Sequence, residues 1–327
     1  MKRCNNCTLP HGFPGISFDK NGKCNFCQKF VYDDYLEDLT KAEQGLQGLI
    51  DEIKSSRNNN NYDCIVALSG GKDSCFTLKY LSQEKKLKVL AITIDNGFLS
   101  KQSIINSNLI CEATKTDFIL FKPSFTFMKS IYNDALNSEK DLTAAKTRAS
   151  DLCTRCINLI NSIMIKEAIS RNIPMIAGGY IAGQVPRGSC ILKLSTSTLK
   201  GFNDLKDHSF FSNYKVSNME IDKYSKNNYL CIVNPLLSIK YNESQILNDL
   251  YDLGWKKSND TGAHSSNCRI NDLGIINHKK KYGFHPYELE ISEQVRTGNL
   301  ERMDAIKKLE SEIDTERLAS ISEELEL

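Results

Sequence analysis

No stretch of this sequence stays apolar for anything near the ~20 residues that a membrane-crossing helix needs. The opening residues, Met-Lys-Arg-Cys-Asn-Asn-Cys, have no apolar segment behind them either. Neither a membrane protein nor a secreted precursor is therefore expected, and the cytoplasm is the expected compartment. An excess of one charge is also missing: Lys and Arg number 42, Asp and Glu 40, for a net of +2. That balance excludes a chain that is basic throughout, as a broad nucleic-acid binder would be, and leaves only local patches. Internal repeats are absent. Apolar residues make up 40% and charged residues 25% of the 327, which excludes wholesale disorder. The length suits two domains with a small appendage.

Cysteine, by contrast, is abundant, with 12 in the chain. Cys4 and Cys7, Cys24 and Cys27, and Cys153 and Cys156 form three CxxC pairs. In a chain not directed to export, such pairs point to metal or redox sites rather than disulfides. The first two pairs frame Ile16-Ser17-Phe18 and the Asn21-Gly22 turn, the layout of a small zinc ribbon over residues 1–30. A module of that size buries little, so Zn2+ on Cys4, Cys7, Cys24 and Cys27 would supply its folding energy. Cys64, Cys75, Cys111, Cys190 and Cys231 are expected in the core.

Residues 31–61 read as a helix and a linker. Tyr35, Leu36, Leu39, Leu46, Leu49, Ile50 and Ile53 recur at helical spacing, and Arg57-Asn58-Asn59-Asn60-Asn61 breaks the pattern. From Tyr62 strands and helices alternate. Strands are expected at Cys64–Leu68, Leu87–Asp95, Phe118–Phe121 and Pro174–Ala177, with intervals long enough for crossover helices. That order implies an α/β fold with a doubly wound parallel sheet over residues 62–240. Residues 241–327 read as a mainly helical substrate region. Its acidic end (Glu310, Glu312, Asp314, Glu316, Glu323, Glu324, Glu326) is expected to be a solvated helix face.

The first strand leads into Ser69-Gly70-Gly71-Lys72-Asp73-Ser74, and a helix follows. Two glycines let backbone approach an anion, the helix start offers unpaired N–H groups, and Ser69, Ser74 and Lys72 add donors and charge. The Walker spacing is absent. Asp73 suits Mg2+ or a helix cap. Asp95, in Ile94-Asp95-Asn96-Gly97, suits a ribose hydroxyl or magnesium on one reading and a plain turn on the other. Gly178-Gly179-Tyr180 follows the fourth strand, where glycine would let a nucleotide approach.

SGGKDS in this setting resembles the PP-loop ATP pyrophosphatases (adenine nucleotide alpha hydrolase-like proteins). The resemblance implies that ATP is held by its pyrophosphate on Ser69–Ser74. A substrate oxygen is then adenylated, and sulfur or nitrogen displaces AMP. Cys153, Cys156 and the later Cys268 give three thiolates, enough for a 4Fe-4S cluster with one open iron or for a persulfide relay. Burial in the core is the plain alternative. That layout is similar to the tRNA thiolation enzymes of this group. The stretch CNNCTLPHGFPGISFDKNGKCNFC is similar to the N-acetyl sugar amidotransferases, and residues 267–310 to the C-terminal region of the wider group. The expected function is adenylation of an amide or lactam oxygen and its replacement by sulfur. The alternatives are amidation of a nucleotide sugar with ammonia from a partner glutaminase, and an inactive nucleotide-binding module. A sulfur donor would be the partner of the thiolation reading, and a homodimer is left open.

Lys256, Lys257, Arg269, Lys279, Lys280 and Lys281 gather between residues 256 and 287, with His264, His278 and His285. They read as a solvated face or as a face for an anionic substrate. Without a broader basic excess, a small nucleotide or nucleotide sugar is favoured over tRNA.

Overall fold

The computed structural model describes residues 2–56, 61–141, 149–202, 212–226 and 228–327. Arg57–Asn60 of the expected linker lie outside them. Six strands form one sheet: β1 Cys64–Ala67, β2 Val89–Ile94, β3 Asp117–Phe121, β4 Met175–Ala177, β5 Ile191–Leu194 and β6 Leu230–Val233. Their spatial order is β3-β2-β1-β4-β6-β5. All neighbours run parallel except β5, which pairs antiparallel with β6 at the edge. The chain moves outward from β1 to β2 and β3, then returns to β4 on the other flank of β1. That reversal opens a crevice at the carboxyl ends of β1 and β4, where open α/β sheets bind ligands.

The helices are α1 Asn25–Lys29, α2 Tyr32–Ser55, α3 Lys72–Lys79, α4 Lys101–Thr114, α5 Phe125–Asn137, α6 Asp151–Ser170, α7 Thr196–Phe202, α8 Asn218–Ser225, α9 Glu243–Tyr251, α10 Asn271–Tyr282, α11 Glu288–Arg296, α12 Arg302–Leu309 and α13 Thr315–Leu325. They cover both sheet faces. Alternation along β1 and β2 divides the core in two. Cys64, Val66, Val89 and Ala91 face the cluster built with α2, α3 and α4, while Ile65, Leu90, Ile92 and Ile94 face the cluster with α5 and α6. Burial on both faces is why these strands read as unbroken apolar runs. The five cysteines assigned to the core are all buried there. Leu36, counted in the apolar stripe of α2, is exposed.

Two features differ from the sequence-based expectation. Ile246, Leu250 and Trp255 belong to the same core as α3 and β1, so the segment after residue 240 begins inside the α/β layer. The acidic end is also more than a solvated face. Ile321 and Leu325 of α13 enter the main core, Glu324 pairs with Arg269 at 2.9 Å, and Glu326 with Lys129 at 2.6 Å. An amphipathic helix docks its apolar side and turns its acids to nearby cations. No helix among the described residues is long and apolar enough to cross a membrane.

Candidate active site

The phosphate loop leaves the end of β1 and opens α3, as its residue order requires. Gly70 has φ +74°, and a Cβ there would sit 2.0 Å from the Ser103 carbonyl oxygen. Only glycine meets both conditions. The Gly70 carbonyl accepts from Trp255 Nε1 at 2.9 Å and Asn106 Nδ2 at 3.2 Å, which fixes the turn. Ser74 Oγ accepts from the Ser69 amide at 3.1 Å and lies 3.0 Å from Ser69 Oγ. No side chain caps the start of α3, so its first N–H groups face the crevice with the positive end of the helix dipole.

Lys72 does not extend over that opening. Its Nζ donates to both Asp73 carboxylate oxygens at 2.9 Å and to the Tyr241 hydroxyl at 2.5 Å, with Glu243 at 3.8 Å. Tyr241 in turn donates to Asp73 Oδ1 at 2.7 Å. Burial, and then the Asp73 charge, keep this phenol protonated. Tyr241 carries no motif, and nothing in the sequence marks it.

Gly179 approaches protein rather than open space. A Cβ there would lie 2.7 Å from the Ser74 amide nitrogen, so the turn after β4 packs directly on the first turn of α3. Close packing of loop on helix is a further reason for glycine at this position. Gly178, Gly179 and Tyr180 nonetheless line the crevice.

Asp95 turns back on its own chain. Its Oδ1 accepts from the Gly97 amide at 3.0 Å, and its Oδ2 pairs with Lys122 at 3.1 Å. It is not among the residues lining the crevice, which fits the turn reading rather than the ribose or magnesium one. The neighbouring Asn96 points inward instead. Its Nδ2 lies 3.5 Å from Cys156 Sγ and 3.6 Å from Cys268 Sγ.

Cys153 and Cys156 stand in the first two turns of α6, three residues apart and so on one side of the helix. Ser150 caps that helix by accepting from the Cys153 amide at 3.3 Å. Cys268 reaches the pair because its segment forms a short antiparallel ladder with residues 98–100. Arg269 N donates to Phe98 O at 2.9 Å, Ser100 N donates to Asn267 O at 2.9 Å, and Leu99 bridges Cys268. Burial pushes the Cys156 thiol up to about 11 and the Cys268 thiol up to about 12. A bound cation would oppose that trend by stabilising thiolates. The three sulfurs are not gathered as tightly as ligands of one ion. Three soft donors on the wall of one cavity would each hold one iron of a 4Fe-4S cluster, which would leave the fourth iron open.

Cys4, Cys7, Cys24 and Cys27 are gathered that tightly: all are buried and their sulfurs lie within 4.8 Å of one another. The Cys4–Cys27 distance is 3.9 Å and the Cys7–Cys24 distance 3.7 Å. A tetrahedral zinc site with Zn–S of about 2.3 Å has sulfur–sulfur edges of about 3.8 Å. The residues fit a closed structural zinc. Arg302 donates to the carbonyls of Cys4 (2.8 Å) and Cys7 (2.9 Å), and Arg3 pairs with Glu288 at 2.8 Å. The ribbon is thereby fastened to α11 and α12.

One cavity of about 340 Å³ takes in Ser69, Gly71, Asp73, Ser74, Gly178, Gly179, Cys153, Cys156 and Cys268. Asn96, Tyr287 and Glu290 line it too, and sequence reasoning gives none of them a place there. His264, from the segment read as a solvated face or an anionic-substrate face, lines it as well. Its ring stacks on Tyr287 at 5.4 Å, and burial holds it down to about 4. The other two histidines of that segment, His278 and His285, are buried in the core, while Lys256, Lys257, Lys279 and Lys280 are exposed. Lys281 pairs with Asp151 at 2.5 Å.

No family model matches the chain. An uncharacterized protein, MJ1599 of Methanocaldococcus jannaschii, is 24% identical over 277 residues, covering 84% of this chain and 82% of its own length. Among solved structures, the U34-tRNA thiolase NcsA of Methanococcus maripaludis, solved with its 4Fe-4S cluster, aligns with a TM-score of 0.36 at 14% identity, over 96% of this chain and 90% of that one. The NH3-dependent NAD synthetase of Campylobacter jejuni aligns with a TM-score of 0.33 at 11% identity, over 69% and 96%.

Proposed function

We propose that this protein is an ATP-dependent, AMP-forming enzyme that adenylates a carbonyl oxygen of a small anionic acceptor and replaces it with sulfur. The observation that carries the reading is the shared cavity: the phosphate loop and the three converging cysteines line the same 340 Å³ space. The N–H groups at the start of α3, with Ser69 and Ser74, hold the pyrophosphate end of ATP. Asp73 is the carboxylate nearest the loop and suits magnesium. Asp73 would hold the ion, which would supply positive charge against the phosphates. Lys72, paired with Asp73 in the structure, would turn towards the phosphates once that carboxylate has another partner. The acceptor oxygen attacks the α-phosphorus and pyrophosphate departs along the loop. A sulfur nucleophile then attacks the same carbon, and AMP leaves. Cys153, Cys156 and Cys268 would hold a 4Fe-4S cluster, which supplies an open coordination position for hydrosulfide.

In a second reading nitrogen from ammonia is the nucleophile, and Cys156 and Cys268, with Asn96 against their sulfurs, line the cavity without a cluster. Anaerobic purification with iron and sulfide analysis separates the two. About four of each per chain, lost on Cys153→Ala, are expected for sulfur transfer. An iron-free protein that turns over ATP with ammonia would overturn it in favour of amidation. A protein that releases no AMP with either would be a binding module.

A further inference from the structure

A second cavity, of about 720 Å³, adjoins the first on the side of the zinc ribbon. The two have Ala149, Ile157 and Gln184 in common in their linings, so they lie side by side. Its walls are of two kinds. Phe26 and Phe30 from the ribbon, with Val185, Pro186 and Leu289, make an apolar side. Lys29, Arg187, Arg296 and Glu293 make a charged one.

Among the described lining residues, three cations meet one carboxylate. Arg187 lies 3.1 Å from one oxygen of Glu293 and Arg296 2.6 Å from the other, so a single carboxylate answers two guanidinium groups. Arg296 is only 5% exposed, and its Nη1 has no hydrogen-bond partner among the described residues. Cys7 and Cys27 lie near enough to Arg296 to add negative charge as zinc-bound thiolates, but they give Nη1 no hydrogen bond. Lys29 and Arg187 are exposed at the rim, and Glu293 is the one carboxylate among the described lining residues. Arg187 also lies over the Phe30 ring, 4.5 Å from its centroid, which seats its guanidinium against an apolar wall. An inorganic anion alone would leave most of this volume empty, and a neutral apolar ligand would leave the cations unanswered. A cavity of this size takes an organic group. Arginine forks favour phosphate, which carries close to two charges at neutral pH.

We propose that this ribbon-side cavity is the acceptor's anchoring subsite and takes a phosphorylated organic group, a planar or apolar body bearing a phosphate dianion. The acceptor's reacting carbonyl then extends past Ala149, Ile157 and Gln184 towards Cys153. This inference rests on the two-substrate reading above, because a separate acceptor is what the subsite would hold. It also gives the ribbon a part in binding, through Phe26, Lys29 and Phe30.

The test uses the full-length protein saturated with a non-hydrolysable ATP analogue, with phenyl phosphate as the probe followed by ligand-observed NMR. Saturable millimolar binding is expected, at least tenfold tighter than for phenol or inorganic phosphate. Arg187→Ala should weaken it about tenfold. Thr154→Trp, which fills the cavity from an exposed position on α6, should abolish it. Both variants should keep the affinity for the ATP analogue, which reports on the phosphate loop separately. The proposal is overturned if phenyl phosphate does not bind, displaces the analogue, or binds both variants as it binds the parent protein. Loss of analogue binding in the parent protein would instead overturn the phosphate-loop reading.

Discussion

At the scale of single residues, the loop was legible because its chemistry is local. Two glycines, two serines and a lysine at a strand–helix junction state their purpose within six positions. The structure adds which constraint each one meets. Gly70→Ala forces a Cβ against Ser103 O in a backbone region alanine avoids, so loss of ATP binding, measured by calorimetry, is expected together with lower thermal stability. Lys72→Ala should leave the fold intact, since that side chain is held only by Asp73, Tyr241 and Glu243 at the crevice rim. AMP release should fall by about 10²-fold or more, as for a lost electrostatic donor; unchanged release would remove Lys72 from the reaction. Asp95 and Asn96 show the limit of reading residues singly. Both are polar, both precede Gly97, and the turn after β2 sends one to Lys122 and the other to the cysteines. No property of the residue type decides between them.

At the scale of elements, four of the six strands were visible as apolar runs. The two missed ones lie towards one edge, and β5 is half exposed, so its pattern is weak. The arrival of Cys268 beside Cys156 could not be read at all. It depends on residues 98–100 pairing with residues 267–269, a contact between segments far apart in sequence. Helix α13 supports that segment. Arg317 pairs with Asp272 at 2.5 Å and Glu324 with Arg269 at 2.9 Å, while Ile321 is fully buried. Ile321→Ala should cost about 2–5 kcal/mol in urea unfolding, whereas Glu316→Ala, on the exposed side, should change little. Equal effects would contradict the docked helix. The ribbon makes a parallel case: Cys24→Ser should lose the single zinc found by metal analysis of the full chain and loosen α11 and α12, which Arg3 and Arg302 tie to it.

At the scale of the whole molecule, near-zero net charge and a long cysteine list pointed to a small-molecule enzyme with metal sites. How the two groups of cysteines relate to the phosphate loop was not legible, because that depends on the sheet reversal between β1 and β4. The reversal puts the loop, the turn after β4 and the head of α6 around one crevice. Burial has a further consequence for the entire fold. His278 is 1% exposed, neither ring nitrogen has a hydrogen-bond partner among the described residues, and burial holds it down to about 4. The unfolded chain therefore binds a proton near pH 6.5 that the folded chain refuses. Stability should be full above that pH and should fall as pH drops towards 4, by about 2 kcal/mol at pH 5 from this group. Unfolding measured at pH 7 and pH 5 should show the loss, and His278→Phe should reduce it.

The central claim is that the ATP loop and the three cysteines serve one reaction in one cavity. Electron paramagnetic resonance of the anaerobically prepared, reduced protein, recorded with and without magnesium-ATP, tests it without the acceptor. A 4Fe-4S signal that shifts when ATP binds, and that disappears in Cys268→Ala, is the predicted result. A protein that binds ATP but holds no cluster, or whose cluster signal is identical with and without the nucleotide, would contradict the account.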